Sequence, residues 1–298
     1  MTLPITVLQA ITCGMPDVAL VDRMRPGDHV CWTFADDRER RRVTGGWVRA
    51  GLRDHHLVVY RTGAPDALAE LATERVDTCA AIDSGRLRVL PVDQDWLVTG
   101  AFDADAADRM FEAELGQALR SGYAGLRAIA DMGWAARRVP GAEQLGRYER
   151  RLNRRIADGY AMSLCLYDRR LFAEPRMSEL TRAHPASVTE RTSRYGSPLL
   201  RMVRCPGGLR LFGEADLSNR DAFAAVLGHL IEDSPAPDVT LDLTELRFAD
   251  ATSCRLVVTV ARDSGGRVRT LGARPALRRL LTLQGAHGVP GLLPPVAP

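Results

Sequence analysis

The stretch Leu241-Asp-Leu-Thr-Glu-Leu-Arg-Phe-Ala-Asp-Ala-Thr-Ser-Cys-Arg-Leu-Val-Val-Thr-Val260 reads as a buried strand, a sharp turn and the start of a helix. Leu241, Leu243 and Leu246 supply the apolar positions of the strand, and Phe248 follows. Asp250, Thr252 and Ser253 stand where a helix N-cap belongs, and Leu256, Val257 and Val260 carry the pattern on as an apolar helix. Free backbone N–H groups and the helix dipole favour negative charge at such a place. A phosphate on Thr252 or Ser253 would be held there without disrupting the fold, and would add roughly two negative charges to the surface. A plain cap accounts for the same local pattern.

The three blocks Gly213-Glu-Ala-Asp-Leu-Ser218, Leu241-Asp-Leu-Thr244 and Phe248-Ala-Asp-Ala-Thr-Ser253 carry a wider resemblance. In order and spacing, residues 199–286 resemble a STAS domain, the fold of bacterial anti-sigma factor antagonists. The resemblance implies a small sheet covered by helices. It also implies docking on an anti-sigma factor that is itself a serine/threonine kinase of the histidine-kinase-like ATPase type. In that family the loop usually reads Asp-Ser-Ser-Gly, and the second Ser accepts phosphate. Here Asp250 matches the Asp, Ala251 the first Ser, Thr252 the acceptor and Ser253 the Gly, so a hydroxyl is kept among changed neighbours. Asp216, Ser218 and Asp250 are the implied partner-binding residues.

Working outward, 298 residues suffice for two domains, and the net charge of +3 selects no partner class. No Lys occurs, so all 40 basic residues are Arg. That excludes a P-loop NTPase of the usual kind and a Schiff-base enzyme. Clusters such as Arg38-Glu-Arg-Arg-Arg42 and Arg150-Arg-Leu-Asn-Arg-Arg155 read as solvated helix faces, with no nucleic-acid contact expected. The six Cys, at 13, 31, 79, 165, 205 and 254, form no C-x-x-C pair, against a disulfide scaffold or a zinc ribbon. No run reaches about 18 apolar residues, and residues 1–20 lack a signal-peptide pattern. A cytoplasmic protein without a membrane contact is expected. Abundant Ala and Arg without Lys suggests a GC-rich genome; both domains resembled here are frequent in actinobacteria.

The first part alternates strands and helices, so the fold class is α/β with a largely parallel sheet and helices on both faces. Strands are expected at 29–34, 57–60, 87–90, 126–130 and 162–167. Helices are expected from Asp36-Asp37, over 65–78, over 104–120, from about 141 and over 178–183. Residues 1–24 show little periodicity, and 184–198 are rich in Ser, Thr, Arg and Pro. The organisation expected is a first domain over 15–185, a linker over 186–198, a second domain over 199–286 and a poorly ordered tail over 287–298. Ligands of such parallel sheets sit outside the carboxyl ends of the strands, here Tyr60-Arg61, Asp131 to Trp134 and Tyr167-Asp168.

Gly27-Asp-His-Val-Cys-Trp32 is the most pointed signal of this half, with His29 and Cys31 on one side of a strand. Together with Asp131-Met-Gly-Trp134, Tyr148-Glu149, Leu152-Asn153 and Leu164-Cys-Leu-Tyr-Asp168, it resembles the MEDS domain over about residues 15–185. That is a sensory domain found with bacterial regulators, including one responding to dichloromethane. The resemblance implies a core similar to RecA-type ATPases without their phosphate-binding loop, and His29, Cys31, Asp131, Trp134, Glu149, Cys165 and Tyr167 as candidates for small-molecule contact. For His29 and Cys31 three readings stand side by side: core packing with a hydrogen bond to a neighbouring loop, ligand contact, or metal ligation. A metal would need third and fourth ligands, for which Cys165 and Asp168 are the candidates. No metal and no cofactor is expected, and neither is a catalytic residue. For Trp134, Tyr148 and Tyr167 core packing is the competing reading.

A non-enzymatic signalling regulator is therefore expected, with small-molecule or protein input in the first domain and phospho-control at Thr252 in the second. Two alternatives differ in class. A scaffold never phosphorylated would keep every partner affinity in a Thr252→Glu variant, and a nucleotide-using RecA-like enzyme would bind nucleotide. The sensed ligand, the oligomeric state and the direction of signalling are left open.

Overall fold

The computed structural model describes residues 21, 23–189, 200–234 and 236–293, which build two sheets. The first part comprises β1 (His29–Phe34), α1 (Asp37–Arg53), β2 (Leu57–Thr62), α2 (Ala67–Thr73), α3 (Thr78–Asp83), β3 (Leu87–Pro91), α4 (Ala104–Arg120), β4 (Leu126–Asp131), α5 (Leu145–Ile156), β5 (Ala161–Asp168), α6 (Glu174–Arg182) and β6 (Ala186–Thr189). Its six strands run in the order β3-β2-β4-β5-β1-β6, and every pairing is parallel.

Alternating side chains of these strands feed two cores. Cys31, Val59 and Cys165 join Phe111 of α4, Leu152 of α5 and Leu180 of α6 on one face. Val30, Trp32 and Phe34 join Trp47 of α1 and Leu71 of α2 on the other. A strand buried on both faces must be apolar nearly throughout, which is why β1 and β5 lack a polar alternation.

The second part comprises β7 (Leu200–Cys205), β8 (Gly208–Ala215), α7 (Arg220–Leu227), β9 (Val239–Ala249), α8 (Ala251–Asp263), β10 (Val268–Leu271) and α9 (Pro275–Leu283). The order is β10-β9-β8-β7, with β7 antiparallel to β8 and the other pairs parallel. Phe223 of α7, Val257 and Val258 of α8 and Leu281 of α9 cover this sheet.

Four boundaries depart from the sequence expectation. The helix expected over 65–78 is two helices: Arg75 adopts φ 62, and Asp77 caps a new start by accepting from the Ala80 N–H. The helix expected at 178 begins at Glu174, with Pro175 in its first turn, where a missing N–H costs nothing. Ala186–Thr189, within the stretch read as linker, form edge strand β6 on β1. Beyond residue 286, Val289 and Leu292 are buried in the second core, and the Leu292 carbonyl accepts from Thr270 N–H at 3.1 Å. This part of the expected tail therefore folds; two apolar side chains had a hydrophobic site to fill. Residues 1–20 and 190–199, where the leading arm and most of the linker were expected, lie outside the described residues. Among the described residues no helix is long and apolar enough to cross a membrane.

The two parts meet where α5 packs on α7. Arg154 grips Asp233 through two bonds, at 2.6 and 3.2 Å. Arg204 bonds Asp233 as well and reaches Asp158 at 2.9 Å, and its own N–H donates to the Ala157 carbonyl. Ala157 itself belongs to the second core. Gly27, at φ +98, lies so close to Val203 that an added Cβ would stand 2.7 Å from a Val203 methyl.

Candidate functional site

Three places draw the expected site residues together: the start of α8, a fully buried polar cluster, and a cleft at the carboxyl ends of the first sheet.

At the start of α8, Asp250 takes the cap position, and its side chain accepts from the Ser253 N–H at 2.7 Å. Thr252 is half-buried on the first turn, whereas Ser253 is fully buried and its hydroxyl has no hydrogen-bond partner. Ser253 is therefore closed to a modifying enzyme in the folded chain, which corrects its place beside Thr252 as an acceptor. Its small size is what lets the first turn of α8 sit against the sheet. The loop after β8 lies at the same end of the sheet, because β8 and β9 are parallel and Ala215 pairs with Ala249. In that loop Asp216 accepts from both the N–H and the hydroxyl of Ser218, at 2.8 and 2.6 Å. Leu217 and Phe248, one in each segment, are 61% and 50% exposed. An apolar surface flanked by Asp216 and Asp250 thus surrounds the helix start.

The buried cluster is built on α5. Glu149 and Asn153 are four residues apart, so both project from one face. That face meets His29 of β1, Cys165 and Tyr167 of β5, and His184 in the turn after α6. His29 Nε2 stands 3.2 Å from Glu149 Oε2 and 3.4 Å from Cys165 Sγ. Cys165 Sγ is 3.5 Å from Glu149 Oε2, and His184 Nε2 is 3.3 Å from the same oxygen. Tyr167 donates to Glu149 Oε1 at 2.5 Å. The side chains of His29 and Cys165 are wholly buried, as are those of Glu149, Tyr167 and His184.

The electrostatics follow from that burial. Burial and the neighbouring His184 push the His29 imidazole down, against the pull of Glu149. Burial alone would raise the Glu149 carboxyl, but His184 and His29 outweigh it and hold the group ionised. Burial, reinforced by the Glu149 charge, raises the Cys165 thiol and the Tyr167 hydroxyl well above their usual values. Cys31 is buried beside them, paired in register with Cys165, and is raised for the same reasons. A thiol held protonated in this way is no nucleophile.

The structure brings together His29, Glu149, Cys165 and Tyr167, four of the candidates for small-molecule contact, in the buried setting of the core-packing reading given for His29 and Tyr167. They form a closed network rather than the wall of an open ligand site. Sequence reasoning missed His184, in the aperiodic stretch before Pro185, and left Asn153 without a role. Asp168, offered as a metal ligand beside His29, instead pairs with Arg170 at 2.6 Å.

Asp131 and Trp134 lie elsewhere. They line a cleft of about 270 Å³ at the carboxyl ends of the strands, with Phe34, Arg40, Asp168 and Leu171. The Asp131 carboxyl is raised by burial, although the Gly133 N–H donates to it at 2.9 Å. Trp134 backs the cleft while packing against Trp96 and Phe102, which pack in turn against Tyr148. Trp96 and Phe102 come from the loop after β3, and Arg61 lies 5.0 Å over the Trp96 ring. Both readings of Trp134, core and cleft, thus apply to one side chain.

Comparison with known proteins agrees with this division. The family described as "MEDS: MEthanogen/methylotroph, DcmR Sensory domain" matches residues 28–185, and the one described as "Mlab, STAS domain" matches residues 200–294. No curated protein matches the chain. Among solved structures, a KaiC-like protein from Pyrococcus horikoshii OT3 is similar at TM-score 0.42 and 12% identity, covering 63% of this chain and 77% of its own. The flagellar accessory protein FlaH from Methanocaldococcus jannaschii is similar at TM-score 0.42 and 12% identity, covering 64% and 80%.

Proposed function

Since the chain belongs to the MEDS family and carries a STAS domain behind that unit, we propose that it is a non-enzymatic signalling regulator of the anti-sigma factor antagonist type. Its STAS domain docks on an anti-sigma factor kinase through the surface around the start of α8, and phosphate on Thr252 weakens that docking. The observation that carries the reading is a half-buried Thr252 on the first turn of an Asp250-capped helix, flanked by exposed Leu217 and Phe248. The apolar pair supplies contact area, and Asp216 and Asp250 supply charge for orientation. A phosphate adds about two negative charges. The backbone N–H groups of the first turn and the helix dipole offset part of that charge within the protein. The facing partner meets the rest beside two carboxylates already present.

Input through the MEDS unit goes to the cleft lined by Asp131, Trp134 and Arg40, which lies where parallel sheets of this kind receive ligands. Its mixture of aromatic, carboxylate and guanidinium groups suits a small polar organic molecule. No nucleotide chemistry is assigned to it, because the chain has no Lys with which to hold phosphates in the usual loop.

The test is incubation of the full chain with a histidine-kinase-like anti-sigma kinase and ATP, followed by phosphopeptide mass spectrometry and a binding titration. Phosphate on Thr252, absent in Thr252→Ala, with at least tenfold weaker binding of the modified chain, is expected. Binding without any phosphate on Thr252, and with Thr252→Glu binding as the wild type, would instead establish the scaffold reading.

A further inference from the structure

The polar cluster on α5 has a donor shortage that the sensory and docking roles do not explain. Asn153 fixes its orientation by donating through Nδ2 to the carbonyls of Glu149 at 3.0 Å and Ala183 at 2.8 Å. Its Oδ1 is therefore the atom 2.8 Å from His29 Nδ1, and that ring nitrogen must carry the proton. His184 Nδ1 lies 2.8 Å from the Leu180 carbonyl, which likewise takes its proton. In both neutral rings Nε2 is then a bare lone pair. Both lone pairs face Glu149 Oε2, at 3.2 and 3.3 Å, and that oxygen has nothing to donate. His184 Nε2 is a buried atom without a hydrogen bond. The Cys165 thiol can give its one hydrogen to only one of these acceptors. Protonating His184 alone would give Oε2 one donor and leave His29 Nε2 only the weak Cys165 thiol at 3.4 Å; protonating both rings would set two imidazolium groups side by side, with ring centroids 4.3 Å apart, in a fully buried site.

A single divalent cation resolves the shortage, and the spacing suits one. Bonds of about 2.0–2.3 Å in a tetrahedron set ligand separations of about 3.3–3.8 Å. Four of the six edges, at 3.2, 3.3, 3.4 and 3.5 Å, lie close to that range, and the remaining two, from His184 Nε2 to His29 Nε2 and to Cys165 Sγ, stay within 4.8 Å, so a small inward shift of the His184 ring closes the tetrahedron. We propose that His29 Nε2, His184 Nε2, Glu149 Oε2 and Cys165 Sγ form a closed structural binding site for Zn2+.

The donor set of two imidazoles, a thiolate and a carboxylate is of the class tetrahedral zinc takes, and a hard cation such as Mg2+ would not choose it. Binding exchanges the thiol hydrogen for the metal: the S–H bond breaks, the proton leaves to solvent and the S–Zn bond forms. Carboxylate and thiolate then neutralise the ion, so the core carries no net charge. The supporting contacts are those a zinc site needs. Each ring gives its Nδ1 hydrogen to an oxygen, and Tyr167 holds Glu149 Oε1 so that only Oε2 faces the metal. All four positions are filled by protein, which makes the role structural: the ion would clamp β1, β5, α5 and the turn after α6. This revises the expectation of no metal. His29 and Cys165 were already candidates for metal ligation, but the other two ligands come from α5 and from the stretch read as aperiodic.

Because the site is sealed, loading is tested during folding. The full chain is refolded from denaturant with Zn2+, with Co2+ or with chelator, desalted, and its metal content measured by plasma mass spectrometry. About one ion per chain is expected, with a higher Tm than the chelator-refolded chain. The Co2+ form should show tetrahedral visible bands and a thiolate charge-transfer band that Cys165→Ser removes. Cys31→Ser should keep the band. If the Cys165 or His184→Gln variant does not fold, X-ray absorption of the zinc-loaded wild-type chain decides. One sulfur with imidazole nitrogens in the first shell supports the site. A folded chain that retains no metal, or a first shell without sulfur, overturns it.

Discussion

Arg154 and Asp233 bind the two units across the face where α5 meets α7, so an Arg154→Ala, Asp233→Ala double-mutant cycle tests whether they behave as one body. The pair makes two charge-assisted bonds, and its side chains are 30% and 18% exposed. Hydrogen bonds to charged groups contribute about 1.5–3 kcal/mol when buried, and fully exposed ion pairs about 0.2–1 kcal/mol. At this intermediate exposure a coupling energy of about 1–2 kcal/mol is expected. Asp233→Ala alone should cost more, about 2–3 kcal/mol, since Arg204 loses the same carboxylate. Burial would raise the Asp233 carboxyl, but the Arg154 and Arg204 bonds prevail and hold it below its usual value of 3.8. A depressed acid contributes its stability above the unfolded pKa and loses it as pH falls through the folded one. The coupling should therefore be constant from pH 6 to 8 and decline only in acid below about pH 4. Urea unfolding of the four proteins gives the energies, and amide hydrogen exchange reports on α5 and α7. A coupling energy within about 0.3 kcal/mol of zero, with exchange unchanged in both helices, would refute a joint body.

Burial lifts the Asp28 carboxyl from 3.8 to about 6, against the Arg25 N–H and the charge of Arg201. Its ionised form thus weighs against folding at neutral pH, and that penalty fades as pH drops through 6. Asp28→Asn should stabilise the chain by up to about 3 kcal/mol at pH 8 and roughly half as much at pH 5, measured by denaturant unfolding. Asp250→Ala removes the cap on Ser253 N–H and should cost about 1 kcal/mol in the same assay, with Asp250→Ser recovering most of it. Gly27→Ala meets Val203 at 2.7 Å with φ +98, and a loss of about 1–3 kcal/mol is expected, only partly restored by Val203→Ala. Full restoration would show that the backbone there tolerates a side chain.

What could be read from the chain follows from which signals are local. The strands of the first sheet and the helix over 104–120 announce themselves by apolar runs and periodicity, and the Asp250 start of α8 by its cap chemistry. The break between α2 and α3 is less visible, because a non-glycine residue, Arg75, takes the left-handed conformation. Edge strand β6 has four residues, too few for a pattern, and owes its form to pairing with β1. The candidate site divides in the same manner. His29 and Cys165 were visible as polar residues within apolar strands, and Glu149 through its motif. His184 has no local signature, since only the return of the chain after α6 brings it beside His29. Ser253 illustrates the converse: its place in the sequence suggests a reachable hydroxyl, and only the packing of the first turn shows that it is shut in.

Among the described residues, the cations that join the two units by ion pairs are guanidinium groups. Amine-directed acylating reagents and the usual cross-linkers would find no side chain to modify along that seam. Mapping how the units are held together therefore calls for carbodiimide or dicarbonyl chemistry aimed at Asp158, Asp233, Arg154 and Arg204. Raising the pH toward 11 would leave those contacts charged, where a lysine-based junction would begin to let go.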